Sequence, residues 1–313
     1  MADTPAAVYP TPGELLPDEL AALDWTPVFP TNASPSWVGG DSQFYEGRGP
    51  DGSAILLRYL KPAATLRTDC SAVFTAMTAA GEAGLGPTIL YQDPDRCVCL
   101  QQKLDDEWRP GTLHRLLDPV ARKASIDVRL RFRELDLDLP AVNVFEQISH
   151  LLEHLRTNQI EIPSTAHEVI GAVEESRGCM HDGPAVVACH GDGAASNVLC
   201  SSGQARLVGW TQVGVMDPLE EVGSLITELV PFVADAETVF EMAWPDRDPA
   251  ALARARLYGV ADDLRWALIG WCAQAWRKGS ANEYQKYGNW RLLKARSAVT
   301  HGGHFERWMK EAR

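Results

Sequence analysis

The sequence lacks a long apolar run, a basic surplus and any C-x-x-C pair of cysteines. Its longest apolar runs are a handful of residues, far below the ~20 that a helix needs to cross a bilayer, which argues against a membrane span. Lys and Arg number 29 against 42 Asp and Glu, giving a formal net charge of −13. A nucleic-acid binder needs a basic face to meet phosphates, so we expect no nucleic-acid partner. The acidic balance is compatible with a cationic small molecule or a basic partner, and a charged surface that serves solubility alone gives the same net charge.

Cysteine is present, but in no pattern that is typical of a metal site. The seven cysteines are an odd number, and only Cys97 and Cys99 are close together, inside an apolar run. A zinc site is therefore poorly supported. The first residues, Met-Ala-Asp-Thr-Pro, lack the basic stretch and apolar core of a signal peptide. We expect a cytoplasmic protein whose cysteines are reduced and pack mostly as small core residues.

The 313 residues exceed one typical domain, and a 45% hydrophobic fraction leaves ample material for a core. Residues 1–34 are proline-rich and predict an extended arm with one short helix. Residues 35–103 are predicted to form a strand-rich lobe, in which two strands flank an Asp-Gly turn and form a hairpin. Residues 104–313 predict mainly helices, with three short strands between residues 185 and 208.

The densest chemical signal is the segment Cys189-His190-Gly191-Asp192-Gly193-Ala194-Ala195-Ser196-Asn197. Asp192 and Asn197 lie five residues apart on a predicted loop between short strands. Phosphoryl transfer needs a carboxylate near the attacking hydroxyl and an amide oxygen on the metal that bridges the phosphates. Asp192 fits the first role and Asn197 the second. An Asx-rich turn without any ligand is the alternative, because Asp, Gly, Ser and Asn all favour turns.

This segment resembles the H-G-D-x-x-x-x-N signature of the aminoglycoside phosphotransferase and choline kinase superfamily. Five further stretches are similar to that superfamily: Ala54–Arg58, Gly84–Pro87, Asp217–Glu221, and the aromatic segments 264–268 and 287–291. The resemblance implies an α+β, protein-kinase-like two-lobe fold. In that fold a small β-rich N-lobe (35–103) binds the nucleotide, and a larger, mainly helical C-lobe (104–313) carries the catalytic loop 189–200.

The resemblance also implies roles for individual residues. Asp192 would orient the substrate hydroxyl or accept its proton, Asn197 would bind magnesium, and Arg58 would contact the phosphates of ATP. The connection between the lobes, against which adenine would stack, comprises Gln101, Gln102, Lys103 and Leu104. We expect His190 to be structural, bonding backbone around the loop.

One position departs from the superfamily pattern. After the strand 205–208 the superfamily has an aspartate that grips the metal ions, and this chain has Gly209, which cannot be a ligand. Three explanations stay open: the chain is a pseudokinase, Asp217 supplies the missing charge, or Gly209 is an introduced change. The acidic partner that Arg58 would have is also missing from its expected place, and Asp69 is the nearest candidate.

The reaction that the resemblance implies is ATP-dependent phosphoryl transfer to a hydroxyl group. The acceptor would be a small molecule, of the cationic amino-alcohol or aminoglycoside-like kind, or a Ser or Thr of a peptide in a biosynthetic pathway. Trp266 and Trp290 match aromatic residues that help to cage a quaternary ammonium in choline-kinase-like enzymes, although helix packing is the explanation that we favour. The alternative function is a catalytically impaired scaffold that binds a peptide or a partner enzyme.

Overall fold

The computed structural model describes residues 9–28, 37, 40–65, 67–180, 185–229, 236–275 and 283–313. The strands of this part are β1 (Thr26–Val28), β2 (Ser42–Arg48), β3 (Ala54–Leu60), β4 (Ile89–Asp93), β5 (Val98–Gln102), β6 (Arg109–Pro110), β7 (Val187–Cys189), β8 (Val198–Ser201), β9 (Gln204–Leu207) and β10 (Gly214–Met216). Its helices are α1 (Pro12–Leu15), α2 (Asp18–Ala21), α3 (Pro62–Thr65), α4 (Cys70–Glu82), α5 (Pro119–Arg133), α6 (Val144–Thr157), α7 (Ala166–Arg177), α8 (Pro218–Leu229), α9 (Ala236–Ala243), α10 (Pro249–Ala275), α11 (Tyr284–Thr300) and α12 (His304–Glu311).

A five-stranded antiparallel sheet forms the N-lobe, in the order β1-β2-β3-β5-β4. Strands β2 and β3 pair from Ser42↔Leu60 to Arg48↔Ala54, so the predicted hairpin is confirmed. Helix α4 packs against this lobe through a face of small and apolar residues. The side chain of Asp69 caps α4 by accepting a hydrogen bond from the backbone of Ser71. Asp69 is therefore a helix cap and does not pair with Arg58.

Residues 9–28 belong to the N-lobe, although we expected them in an extended arm. Leu15 and Leu16 are only 4% and 3% exposed, in one apolar cluster with Tyr45 and other residues of the sheet. The hydroxyl of Tyr45 donates to the carbonyl oxygen of Pro10 at 2.8 Å. Two short helices, α1 and α2, replace the one predicted, and β1 adds an edge strand to β2. Residues 1–8 and 29–34 of the predicted arm lie outside the described residues.

The C-lobe is built around helix α10, which has buried residues on all sides and packs against α6, α8, α11 and α12. An apolar core surrounds it, to which all these helices contribute. The layout of a small β-rich lobe followed by a larger helical lobe is the predicted one. Among the described residues, no helix is both long enough and apolar enough to cross a membrane.

Two small antiparallel sheets of the described residues, β10-β7 and β6-β8-β9, lie in the C-lobe. Strand β7 pairs with β10, with Cys189 opposite Gly214 and Val187 opposite Met216. Asp192, which follows β7, therefore lies beyond one end of this pair of strands, and Asp217, which follows β10, lies beyond the opposite end. Strands β8 and β9 form a hairpin directly after Asn197, as the sequence pattern predicts.

A disulfide joins Cys70, at the start of α4, to Cys97, in the turn before β5. The expectation that all the cysteines are reduced is therefore wrong. These two residues are 27 positions apart, and the packing of α4 against the β4–β5 hairpin brings them together. The other five cysteines are free and buried, as expected for small core residues.

Candidate active site

A cleft of about 230 Å³ lies between the two lobes. From the N-lobe, Asp41, Arg58 and Gln101 line it, and from the C-lobe Asp192 and Asn197 do so. Its wall also includes five aromatic residues, namely Trp37, Phe44, Trp210, Trp266 and Tyr287. Four of the predicted site residues therefore meet in one place, namely Asp192, Asn197, Arg58 and Gln101.

The loop that carries Asp192 is bonded to one face of helix α8. Its backbone N–H groups at Gly191, Gly193 and Ala195 donate to Glu221 Oε1 (3.0 Å), Ser224 Oγ (2.9 Å) and Glu228 Oε1 (3.2 Å). The three acceptors are spaced by three and four residues, so they lie on one side of the helix. Every second backbone N–H of the loop thereby donates to a side chain of α8 and not to water, which fixes the loop backbone.

Glu221 is the most deeply buried of these acceptors, at 0% exposure. Burial alone would raise the pKa of this carboxyl, but the guanidinium groups of Arg133 and Arg129 bring the pKa below its ordinary value. Arg133 donates to Glu221 Oε2 at 2.7 Å. The charge behind the loop is therefore paired, as a buried charge must be to be tolerated.

Asp192 is 1% exposed, and both of its carboxylate oxygens are hydrogen-bonded. Oδ1 accepts from the backbone N–H of Ala194 at 2.8 Å, and Oδ2 accepts from Nδ2 of Asn197 at 2.7 Å. The backbone carbonyl of Asp192 accepts from Arg129 at 2.8 Å. Burial raises the pKa of Asp192 to about 6. The carboxylate is thus held in place and is easier to protonate than an ordinary aspartate.

His190 lies between two backbone carbonyl oxygens behind the loop. Its Nδ1 is 3.2 Å from the oxygen of Asp192, and its Nε2 is 2.9 Å from the oxygen of Val208. Burial lowers the pKa of His190 to about 4, so the ring is neutral at pH 7 and donates to one of the two. These contacts are the structural ones that we expected for His190.

Gly209 lies directly beneath the side chain of Asn197. Its φ is +75°, and a Cβ added there would overlap the amide group of Asn197. The amide of Asn197 therefore occupies the space that the Cβ of any other residue at position 209 would need. Glycine is favoured here both by its backbone conformation and by this close approach.

The residues present do not make a resident magnesium site. Among the described residues, no group of three or more His, Cys, Asp and Glu could hold a metal ion. At the predicted position the donors are the carboxylate of Asp192, already hydrogen-bonded, and the amide of Asn197. Mg²⁺ prefers an octahedral set of oxygens that includes carboxylates, and Gly209 adds none.

Asp217 does not supply the missing charge. Its Oδ1 accepts from the backbone of Leu219 at 2.8 Å, and its Oδ2 accepts from the hydroxyl of Tyr258 at 3.0 Å. It caps the start of α8, at the far end of the β7–β10 ladder from Asp192, and does not line the cleft. The proposal that Asp217 is a metal ligand is therefore contradicted by its position.

Arg58 lines the cleft from strand β3, where the charge of Asp41 acts on it without an ion pair between the two. It is 5% exposed; Nε donates to Ser42 Oγ at 2.9 Å, and Nη1 lies 3.6 Å from Met77 Sδ. None of the ion pairs among the described residues includes Arg58. Burial lowers the pKa of Arg58, although the side chain stays a cation at neutral pH. A buried guanidinium of this kind favours an anionic ligand.

Of the four residues predicted to contact adenine, the structure brings one into the cleft. Gln101 is 7% exposed and lines the cleft wall. Gln102 is exposed, and Lys103 forms an ion pair with Glu46 on strand β2 at 2.8 Å. Leu104 is half-buried and does not line the cleft.

The two tryptophans of the predicted substrate cage lie in different places. Trp266 lines the cleft and packs against Trp37, with ring centroids 5.4 Å apart. Trp290 packs against Tyr287 and does not line the cleft. The ammonium of Lys294 lies over the ring of Trp290, 4.9 Å from its centroid. Trp290 is therefore a packing residue, as the alternative explanation held.

Sequence reasoning missed a contact between the lobes at Asp41. Its carboxylate accepts from Trp37 Nε1 at 2.8 Å and Thr211 Oγ1 at 2.9 Å, and pairs with Arg67 at 2.5 Å. Burial alone would raise the pKa of Asp41, but the Arg67 charge and these hydrogen bonds bring it below its ordinary value. Thr211 belongs to the C-lobe, so Asp41 ties the two lobes together. The segment Gly39-Gly40-Asp41-Ser42 gives no local sign of this contact.

Solved structures share this architecture. A choline/ethanolamine kinase family protein from Mesorhizobium loti has a TM-score of 0.76 at 18% identity, over 96% of this chain and 97% of that one. The choline kinase LicA from Streptococcus pneumoniae has a TM-score of 0.66 at 16% identity, covering 82% and 89%. This chain has their kinase-like fold. A thermostable mutant of aminoglycoside phosphotransferase APH(4)-Ia is also similar, with a TM-score of 0.56 at 16% identity, covering 89% and 96%.

The kinase-like fold that the motif resemblance implied is thereby confirmed. No protein-family model and no curated protein matches the sequence. The likeness therefore concerns the fold of the chain alone.

Proposed function

We propose that this kinase-like protein is a phosphotransferase that uses ATP to phosphorylate a hydroxyl group. The observation that carries the proposal is that Asp192 and Arg58, from different lobes, face one cleft. Phosphoryl transfer needs little from a protein beyond positioning and charge stabilisation, which a fixed carboxylate and a fixed guanidinium provide. Solved structures with this fold include LicA in complex with AMP and APH(4)-Ia with ADP and hygromycin B.

In the proposed reaction, Arg58 binds the phosphates of the nucleotide and Gln101 borders its base. Asp192 accepts the proton of the acceptor hydroxyl while the hydroxyl oxygen bonds to the γ-phosphorus, and the bond from that phosphorus to the β,γ-bridging oxygen breaks. A pKa of about 6 suits this role, because the carboxylate is mostly ionised at pH 7 yet still basic. Magnesium enters this proposal with the nucleotide and not as a resident ion.

The acceptor that the cleft favours is a small cationic molecule of the amino-alcohol or aminoglycoside-like kind. Trp266, Trp37 and Tyr287 form an aromatic wall beside Asp192, and such rings attract cations. A Ser or Thr of a peptide is the other acceptor that we consider. The cytoplasmic location stays a prediction, and the Cys70–Cys97 disulfide is an observation against it.

A second candidate function is a scaffold that has lost phosphoryl transfer and binds a peptide or a partner enzyme. The observation in its favour is Gly209, where the amide of Asn197 takes up the space of a metal-binding side chain. The two functions differ in turnover, whereas both allow a nucleotide to bind.

The test measures nucleotide binding and turnover on the same samples. Thermal unfolding with ATP, with and without Mg²⁺, reports binding, since a ligand at 100 times its Kd adds about 2.7 kcal/mol to the stability of a protein. Phosphate release from ATP in the presence of amino-alcohol acceptors reports turnover. We expect turnover in the wild type, loss of turnover in Asp192→Asn, and retention in Asp105→Asn, an exposed carboxylate as control.

Binding without turnover would favour the scaffold. Absence of ATP binding in both the wild type and Gly209→Asp would contradict the phosphotransferase. Turnover that survives Asp192→Asn would remove Asp192 from the reaction.

A further inference from the structure

A second groove, of about 390 Å³, lies between the lobes on the other side of the Asp41–Thr211 contact. The N-lobe lines it with Thr65, Arg67 and Asp69, and the C-lobe lines it with Asn143, Glu146 and Gln212. Of the residues around the first cleft, Thr211 alone also borders this groove. The groove is therefore a separate space, and the proposed reaction makes no use of it.

Gln212 is the residue of this groove that indicates a ligand. It is 1% exposed, and neither Oε1 nor Nε2 of its side chain has a hydrogen-bond partner among the described residues. A buried primary amide that donates and accepts nothing is costly to a folded protein, and native structures keep few of them. An external group that donates to Oε1 and accepts from Nε2 would satisfy both atoms.

Other polar groups around the groove are already engaged within the protein. The hydroxyl of Thr211 donates to Asp41 at 2.9 Å, and Oδ1 of Asn143 accepts from the backbone of Phe145 at 3.0 Å. Oε1 of Gln147 accepts from Arg265 at 2.7 Å. In contrast to these groups, the side-chain amide of Gln212 has no hydrogen-bond partner among the described residues.

The charge at the edge of the groove is negative. Asp69 and Glu146 are exposed carboxylates that border it from opposite lobes, and His150 is an exposed neighbour. Among the described residues that line the groove from the N-lobe, the one cation is Arg67, which is paired with Asp41 at 2.5 Å. A cationic ligand is therefore favoured, in keeping with the formal net charge of −13 for the whole chain.

We propose that this groove binds a peptide segment with a basic side chain, whose backbone N–H and C=O pair with the amide of Gln212. A peptide bond presents a donor and an acceptor together, which is what the side chain of Gln212 lacks. The carboxylates of Asp69 and Glu146 meet the basic side chain at the edge. The proposal goes beyond phosphoryl transfer and does not rest on it, because the peptide lies outside the ATP cleft.

The probe is the peptide acetyl-Gly-Lys-Gly-Lys-Gly-amide, titrated into the full chain by calorimetry and by ¹H–¹⁵N NMR of glutamine side chains. We expect saturable binding with a Kd of about 1 mM or tighter, and a shift of the Gln212 amide signals in the wild type. The same peptide with Glu in place of Lys should not bind. Saturating ATP and Asp192→Asn should leave the Kd unchanged, which separates this proposal from the fate of the proposed reaction.

Two variants locate the site. Gln212→Leu should weaken binding about tenfold without lowering Tm, because an amide without a partner contributes no hydrogen bond to the fold. Glu146→Gln should weaken binding several-fold and reduce its salt dependence. Glu153→Gln, on the same helix but outside the groove, is the matched control and should bind as the wild type does.

The proposal is overturned by any one of five results, of which four concern the peptide and the variants. These are no binding of the lysine peptide, no shift of the Gln212 signals, unchanged affinity in Gln212→Leu, or equal losses in the Glu146 and Glu153 variants. Binding of N-acetyl-lysinamide as tightly as the pentapeptide would also overturn the assignment of a peptide, because it would show a site for a small cationic amide.

Discussion

Gly209→Asp restores the carboxylate that the superfamily pattern has, and the structure predicts what it costs. The new Cβ meets the amide of Asn197, and the backbone at residue 209 has a φ of +75°. A left-handed conformation costs an L-residue roughly 1–2 kcal/mol, toward the lower end for Asp. Moving Asn197 breaks its 2.7 Å hydrogen bond to Asp192, and such a bond to a charged group contributes roughly 1.5–3 kcal/mol.

The sum is about 3 kcal/mol, which predicts a fall in Tm of about 5 °C for 313 residues, at an unfolding entropy of about 2.1 cal/mol/K per residue. The measurement is thermal unfolding by circular dichroism, with and without Mg²⁺. We expect Mg²⁺ to recover part of the loss in Gly209→Asp, because the new carboxylate joins Asp192 and the displaced Asn197 as an oxygen ligand. Gly209→Ala has the same Cβ without the charge, so it should lose stability and show no response to Mg²⁺.

Two results would refute this reasoning. A Tm for Gly209→Asp equal to that of the wild type would mean that residue 209 is neither strained nor crowded by Asn197. An equal effect of Mg²⁺ on the wild type and on both variants would mean that the carboxylate creates no ion site.

Three further predictions follow from buried groups. Burial raises the pKa of Asp192 to about 6, so the folded state binds a proton at this carboxyl more tightly than the unfolded state does. The stability of the wild type therefore falls as the pH rises from about 4 to 6, whereas Asp192→Asn has no such carboxyl. In urea unfolding, the free energy of unfolding of Asp192→Asn should rise by up to about 3 kcal/mol relative to that of the wild type between pH 4 and pH 7. Arg133→Gln leaves the carboxylate of Glu221 buried without its partner and should cost about 3–5 kcal/mol in the same assay. Cys70→Ser opens the loop to Cys97 and should cost roughly 3–4 kcal/mol under oxidising conditions.

Each of these has a control. Arg156→Gln removes an exposed ion pair with Glu153 and should cost less than about 1 kcal/mol; equal losses for it and for Arg133→Gln would contradict the role given to burial. Reducing agent should destabilise the wild type and leave Cys70→Ser unchanged. A wild type and Asp192→Asn with parallel pH profiles would show that this carboxyl does not titrate near pH 6.

The sequence predicted those parts of the fold that depend on neighbouring residues. The β2–β3 hairpin follows from alternation around an Asp-Gly turn, and helix α6 follows from apolar residues every three to four positions after Pro140. The positions of Asp192 and Asn197 were equally readable, because the loop between β7 and β8 carries both within six residues.

Contacts between distant segments were not readable from one sequence. The pairing of Asp41 with Arg67 and Thr211 depends on how the lobes pack, and so does the meeting of Cys70 with Cys97. The arm was misjudged for the same reason, because burial of Leu15 and Leu16 is visible only once the sheet beneath them exists. No local pattern marks such partners.

The row of acceptors on helix α8 has a consequence for motion in this molecule. Both ends of those three hydrogen bonds belong to the C-lobe, so the loop and α8 form a single body. A movement of the N-lobe would leave Asp192 fixed to α8, while contacts between the lobes, such as those of Asp41 with Thr211 and of Leu85 with Leu207, would have to change. Access to the cleft and the geometry of the carboxylate are thereby independent of each other.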